Sequence, residues 1–426
     1  MQKIKFVPEL INEYSYIPAL FLANVNPKQF EISSDVKKTD ILGLTVFDSQ
    51  SLVYLRKARK KYPNNKIIVG GIGVTDLYHY ILEYADYVYF GQAFEFDDNC
   101  VLEKKGTKKI KYNNAIPWEK IPIVRTGKKS WYFMIESGCP FKCEYCNVSH
   151  ISKFDSMPGE VFFDKVFRFD IKYKGQFVRL LSNEGYFIYR HFEKYNKLKH
   201  NRYLSSSIPL KSFVKYYKKG VNQTKEPVLR FGIELPTEEL RKKILPPVKH
   251  ISDDEILDVI YRMNLMGQDI TLFLLYNYPG TTPEDFERIY ELLTYAEIKK
   301  RKIRVSMSTF TMLSTFRKSY SASEYVDHLL DFPNFDTTET HRNLRRVHGL
   351  KVLAPAHMKR ALHFHSHMFL PGGTKLPSIS NPKITARSYL DKLQKYNPDL
   401  NIYKTMDSMF KGRVLKNGYY HLTWGE

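Results

Sequence analysis

Three of the chain's four cysteines stand at positions 139, 143 and 146, in Ser137-Gly138-Cys139-Pro140-Phe141-Lys142-Cys143-Glu144-Tyr145-Cys146. Thiolates are the protein ligands of iron–sulfur clusters, and a C-x3-C-x2-C spacing lets one short loop wrap a cubane. Four thiolates would saturate a [4Fe–4S] centre, so three local ones leave one iron open. An open position marks a catalytic rather than a structural metal site, because substrate or cofactor must reach the metal. The competing reading is a zinc site, or a saturated cluster, completed by Cys100 or a histidine. A second constellation, His363, His365 and His367, would lie on one face of a strand. Metal or phosphate binding there competes with a structural or solvated role.

The cysteine loop follows a predicted strand, Ser130 to Glu136, and the chain beyond it alternates strands with helices. Further predicted strands are Gln176 to Leu181, Arg202 to Ser206, Val228 to Glu234, Ile270 to Leu275 and Ile303 to Thr309. Ser252 with Glu255 has the capping-box pattern of a helix start, as does Thr282 with Asp285, and Gly267 ends the first of these helices. Six β/α repeats predict a partial barrel, whose chemistry gathers at the C-terminal ends of its strands. Phe133 and Met134 then become candidates to line the barrel mouth, although such residues are more often plain core.

Before this region, DILGLTVF (Asp40 to Phe47), KIIVGG (Lys66 to Gly71) and YVYFG (Tyr87 to Gly91) alternate with helical stretches at Leu52 to Lys61 and Leu77 to Tyr84. That alternation predicts a parallel, doubly wound sheet, with ligands beyond the carboxyl ends of its strands. Asp97 to Trp118 is polar and reads as a linker. From residue 326 onward the periodicity weakens and predicts no particular fold.

The chain has 426 residues, 43% of them hydrophobic, which fits a globular protein of two or three domains rather than a disordered one. MQKIKFVPEL lacks the apolar core of a secretory signal, and the longest apolar runs fall well short of a membrane span. Clustered cysteines in a reducing compartment point to a metal rather than to disulfides, so a cytoplasmic protein is expected. Lys+Arg 66 against Asp+Glu 45 gives a formal charge of +21. Such an excess favours anionic partners, nucleic acid among them, but a biased genome produces the same composition.

From about residue 125 to 315 the sequence resembles the radical SAM superfamily, through the cysteine loop, RFGIELPTEELRKKILPP and DDEILDVIYRMNLMGQDITLFLLYNYPGTTPEDF. The resemblance implies an (α/β)6 partial TIM barrel and a [4Fe–4S] cluster on Cys139, Cys143 and Cys146. It further implies reductive cleavage of S-adenosylmethionine (SAM) to a 5′-deoxyadenosyl radical, with electrons from a donor such as flavodoxin or ferredoxin. Carried over by position, Tyr145 lies near the adenine. Asn183 and Glu184 replace the motif that holds the SAM amino group, with only one small residue, Gly185, beside the Glu. Glu234 touches the ribose or methionine end, and Pro279 with Gly280 borders the adenine.

TDILGLTVFDSQ, KIIVGGIGVTD and ADYVYFGQAFEF resemble the cobalamin-binding, Rossmann-like domain that precedes many radical SAM cores. Gly70 and Gly71 match the glycine pair that admits the nucleotide tail, and Thr45 and Ser49 fall where polar residues would face the cofactor. The D-x-H-x-x-G motif that supplies a lower histidine ligand is missing; the first histidine is His79. The implied organisation is a cobalamin-binding-like domain over 1–122, a radical SAM core over 123–325 and a substrate or accessory region over 326–426. One spare cysteine, Cys100, excludes methylthiotransferases and members with auxiliary clusters. Open readings are a cobalamin-assisted methylase acting on a nucleic acid or other anionic substrate, a cobalt-free radical oxidoreductase or mutase, and a nucleic-acid-binding protein with a structural cluster.

Overall fold

The computed structural model describes residues 3 to 288 with gaps, the longest at 183–190 and 218–227, and then 303–309, 351–352, 395, 413–415 and 419–422. The first unit comprises β1 (Ile4–Phe6), α1 (Glu13–Val25), β2 (Phe30–Ile32), β3 (Ile41–Thr45), α2 (Ser49–Lys61), β4 (Lys66–Gly70), α3 (Val74–Tyr84), β5 (Tyr87–Tyr89) and β6 (Val101–Glu103). Their order in the sheet is β2-β1-β3-β4-β5-β6, parallel except for β6. β3 and β4 each bury three consecutive residues, as strands covered on both faces do. The order reverses between β1 and β3, and open parallel sheets bind ligands at such a reversal.

The expected linker is structured. β6 runs antiparallel to β5, β7 (Lys108–Lys111) follows, Asn113 bridges to Gly91, and Trp118 is buried. Strands of three or four residues are too short to leave a periodic signal, so the polar composition concealed them. β7 also pairs with the C-terminal hairpin β19 (Arg413–Leu415) and β20 (Tyr419–Leu422), Ile110 facing Tyr420.

The second unit begins with β8 (Ile123–Arg125), antiparallel to β9 (Ser130–Met134), and the short pair β10 (Glu136–Ser137) and β11 (Asp155–Ser156). There follow α4 (Gly159–Lys172), β12 (Phe177–Leu181), β13 (Arg202–Leu204), β14 (Ile208–Pro209), α5 (Leu210–Tyr217), β15 (Val228–Glu234), α6 (Glu238–Ile244), α7 (Asp253–Leu265), β16 (Asp269–Tyr276), β17 (Ile303–Thr309) and β18 (Lys351–Val352). They form two sheets, β13-β12-β9-β8 and β14-β15-β16-β17-β18, parallel throughout except for β8. Each of the six expected strands is present, but among the described residues they are divided between two sheets and are not joined in the one partial barrel that the β/α repeats predict. Both capping boxes form: the Ser252 amide donates to Glu255 at 3.1 Å and the Glu255 amide returns a bond to the Ser252 hydroxyl, with Thr282 and Asp285 paired likewise.

Alternation along β9 decides which face of its sheet each residue reaches. Phe133 turns outward, is fully buried, and stacks on Phe162 of α4 with ring centroids 5.8 Å apart. It is core, worth about 1.5–3 kcal/mol in burial, and not a mouth residue; Met134, its neighbour, faces a cavity. Phe21, Phe94, Trp118 and Ile121 join Phe133, Val178 and Leu180 in one apolar cluster. A shared core therefore packs the N-terminal unit against the sheet that holds β9 and β12.

Candidate active site

The cysteine loop follows β9 through β10 and a glycine turn. Gly138 has φ +68°, and a Cβ there would stand 2.5 Å from the Lys153 carbonyl oxygen, so only glycine fits. The Cys146 amide donates to the Cys143 carbonyl at 3.1 Å, which closes a turn around Tyr145. Cys143 is buried, and Cys139 and Cys146 are half-buried. Burial pushes the Cys139 thiol up to about 11, against the pull of the Phe141 backbone amide and the Lys249 ammonium. It raises the Cys143 thiol as well. A metal must therefore displace protons from these sulfurs on binding.

Three soft donors in one glycine-hinged loop, with a buried cation beside them, suit an anionic iron–sulfur cluster. Among the described residues no three His, Cys, Asp or Glu side chains converge as ligands of a single ion do. A cubane holds each thiolate at a different iron and does not require such convergence. Cys100 packs with Ile68 and Tyr89 in the core of the N-terminal sheet and is not part of the loop's surroundings.

Beside the loop stands the end of β15. Glu234 has φ +63°, unusual for a residue with a side chain, and the Leu235 amide closes back on the Ile233 carbonyl at 2.7 Å. A Cβ on Gly232 would lie 2.3 Å from Glu234 Oε1, so this glycine makes room for the carboxylate. Lys249 Nζ is 3.4 Å from Glu234 Oε1 and lies 5.1 Å from the Phe141 ring centroid. Burial works to lower the Lys249 pKa, but the Glu234 carboxylate and the three thiols outweigh it, and the net shift is upward.

Arg241 explains how this geometry is held. Its guanidinium is fully buried and donates to the carbonyls of Leu235 (3.0 Å), Pro236 (3.1 Å) and Ile251 (3.0 Å), and to the Asp253 carboxylate. It thereby ties the turn after Glu234 to the segment that carries Lys249. Sequence reasoning missed both Lys249 and Arg241, because no local pattern distinguishes them from a lysine- and arginine-rich background.

Tyr145 meets Tyr278 edge to face at 6.0 Å. Thr281 donates to the Tyr278 carbonyl from its amide (2.9 Å) and its hydroxyl (2.6 Å), and Gly280 takes φ +86° in that turn. Tyr145, Glu234 and the Tyr278–Gly280 turn thus gather around the cysteine loop. Asn183, Glu184, Pro279 and the histidines 363, 365 and 367 lie outside the described residues.

A cavity of about 880 Å³ runs from the carboxyl edge of the N-terminal sheet to this loop. Its walls include Phe6, Gly43 and Thr45 at the β1/β3 reversal, Gly70 at the end of β4 and Gly71 just after it, and Met134, Glu136, Ser137 and Gly138 at the start of the cysteine loop. Gly71 has φ +103°, and a Cβ there would stand 2.5 Å from the Val46 oxygen, whereas one on Gly70 would meet nothing closer than 3.9 Å. Gln92 Nε2 donates to Ser137 Oγ at 3.0 Å and joins the two walls. Buried Glu136 accepts from the Ser182 hydroxyl.

Residues 135–293 match the profile of the Radical SAM superfamily. Over these residues the chain is similar to that superfamily. A domain of that superfamily implies a [4Fe–4S] cluster and SAM, and such enzymes require a reductant of the flavodoxin or ferredoxin type. No curated protein sequence matches the chain. Among solved structures it is similar to TsrM from Kitasatospora setae, a radical SAM methyltransferase with cobalamin and a [4Fe–4S] cluster bound. The identity is 12% and the TM-score 0.51, over 74% of this chain and 76% of that one. The same enzyme with tryptophan and a SAM analogue bound gives 10%, 0.51, 71% and 73%. SuiB from Streptococcus suis bound to SAM gives 14% identity and TM-score 0.35 over 55% and 52%. At these identities the TsrM likeness establishes a shared fold. No described helix is long and apolar enough to cross a membrane.

Proposed function

We propose that this protein is a radical SAM methylase that works with cobalamin held between a domain over 1–122 and a core over 123–325. The observation that carries this reading is the single cavity joining Gly70 and Gly71 to Ser137 and Gly138. One cofactor seated at the sheet edge would there face another at the cluster loop. The shared fold with a cobalamin-bound methyltransferase adds support.

In this reading Cys139, Cys143 and Cys146 hold the cluster, which supplies the electron that cleaves SAM to a 5′-deoxyadenosyl radical. Asn183 and Glu184 hold the amino group, Tyr145, Pro279 and Gly280 border the adenine, and the remainder of SAM lies by Glu234. Lys249, whose ammonium lies 3.4 Å from Glu234 Oε1, would in this reading meet the SAM carboxylate. Gly70 leaves room at the cavity wall for a corrinoid side chain, and a cavity of this size is within the range of cofactor sites. No D-x-H-x-x-G motif supplies a lower ligand, so the cobalt should show no protein nitrogen on its lower face.

Anaerobically reconstituted protein should bind one four-iron cluster, be reduced by dithionite and turn SAM into 5′-deoxyadenosine and methionine. Cys139→Ala, Cys143→Ala or Cys146→Ala should abolish the cluster band while Cys100→Ala keeps it. A fully formed cluster that never cleaves SAM would overturn the enzyme reading. Hydroxocobalamin that leaves the visible spectrum unchanged would overturn the methylase reading and favour a cobalt-free oxidoreductase or mutase. The net charge of +21 points to an anionic substrate. If this is a nucleic acid, the logarithm of affinity should fall with log salt with a slope of about −3 or steeper.

A further inference from the structure

β9 and β12 pair in parallel register, with Tyr132 opposite Arg179 and Met134 opposite Leu181. Side chains alternate across a strand, so Phe133, Val178 and Leu180 enter the buried core while Tyr132, Met134, Arg179 and Leu181 line the cavity. Arg179 donates from Nη1 to the Tyr132 hydroxyl at 3.0 Å. The guanidinium is otherwise exposed, and among the described residues no carboxylate forms an ion pair with it. A guanidinium carries five N–H donors, and a hydroxyl that accepts one bond keeps its own proton to donate. The pair therefore presents a fork of donors and one positive charge. Among the described residues that line the cavity, Arg179 is the only cation.

We propose that Arg179 and Tyr132 form a carboxylate-anchoring subsite for the substrate, a small carboxylic acid with an apolar body. The inference deepens the proposed function and rests on its reading of this cavity as the place of reaction. A planar guanidinium meets a carboxylate through two parallel charge-assisted bonds, and the phenol supplies a third. The register fixes how such a ligand lies. One step further along both strands, Met134 and Leu181 offer apolar surface to the body of the acid. Beyond them stand buried Glu136, which accepts from the Ser182 hydroxyl, and Ser137 at the start of the cysteine loop. Ser137 is five residues on from Tyr132, at most about 16 Å at the rise of a strand. An acid anchored at Arg179 therefore points its far end toward the cysteine loop. A polyanion such as a nucleic acid needs a row of cations to neutralise its phosphates, and this wall offers one.

The test is calorimetric titration of the reconstituted protein with 3-phenylpropanoate and 5-phenylpentanoate, each beside its neutral amide. At least one acid should bind about ten times more tightly than its amide, the scale of hydrogen bonds to a charged group. Arg179→Gln should erase that preference, and Arg179→Lys should keep part of it, since lysine retains the charge without the fork. Amides bound as well as both acids, or a preference that survives Arg179→Gln, would overturn the proposal. If Arg179→Gln fails to fold, Tyr132→Phe must narrow the gap between acid and amide, and no narrowing overturns it equally. Phenyl phosphate bound as tightly as the better acid would assign the fork to phosphate instead, and loss of hydroxocobalamin uptake in Arg179→Gln would assign it to the corrinoid; either result sinks the proposal. The expected acid preference in a protein that cleaves no SAM would leave the subsite standing and bring down the reading on which it rests.

Discussion

Lys249 places its ammonium 3.4 Å from the Glu234 carboxylate, and together they flank the cysteine loop from the far side of the β15 turn. Both side chains are largely buried, at 12% and 20% exposure, so neither can shed its charge to solvent when the other is removed. Lys249→Met should leave the cluster assembled but weaken SAM binding about tenfold or more, since 1.4 kcal/mol is a factor of ten and losing one partner of a buried pair costs more than that. Glu234→Gln should weaken it less, because the amide still accepts from Lys249. Titration of SAM into the reconstituted variants checks both. Wild-type affinity in Lys249→Met would remove Lys249 from the site.

Arg241 is expected to matter through stability. Its guanidinium has no exposure and satisfies three carbonyls and a carboxylate at once. Arg241→Leu strands three buried carbonyls and should be destabilising by about 1–3 kcal/mol for each acceptor left without a partner. Chemical denaturation of the metal-free protein measures this, and a midpoint unchanged from wild type would contradict the role assigned to the clamp.

Gly70, the last residue of β4, and Gly71, which follows it, should separate binding from folding. Gly70→Leu projects into open space at the cavity wall, so it should fold normally, load its cluster and lose hydroxocobalamin uptake. Gly71→Ala places a side chain at φ +103° against the Val46 oxygen and should lower stability by about 1–3 kcal/mol. Thermal melts and cobalamin difference spectra on both variants provide the comparison. Full cobalamin binding by Gly70→Leu would place the cofactor elsewhere.

The parts legible in the sequence were those that local chemistry dictates. The cysteine spacing, the capping boxes at Ser252 and Thr282, and long apolar strands such as Val228–Glu234 depend on neighbours a few residues away. The strand order of the N-terminal sheet, with its reversal between β1 and β3, depends on pairings between distant segments and left no such trace. Phe133 and Met134 look alike to composition, and only the pleat sends one to the core and the other to the cavity. Lys249 acquires its role because Arg241 folds its segment back over Glu234, a contact that no period or motif encodes. The short strands within 97–118 stayed hidden because a few polar residues at a sheet edge resemble a linker.

SAM bound at an open iron of a cluster held by Cys139, Cys143 and Cys146 would bring its amino nitrogen against that cluster. The reconstituted, dithionite-reduced protein is mixed with SAM carrying nitrogen-15 in its methionine amino group, and electron–nuclear double resonance is recorded on the reduced cluster. A nitrogen-15 coupling to the cluster that is absent without SAM is the expected result. A fully reduced four-iron cluster whose spectrum is the same with and without saturating SAM would contradict it.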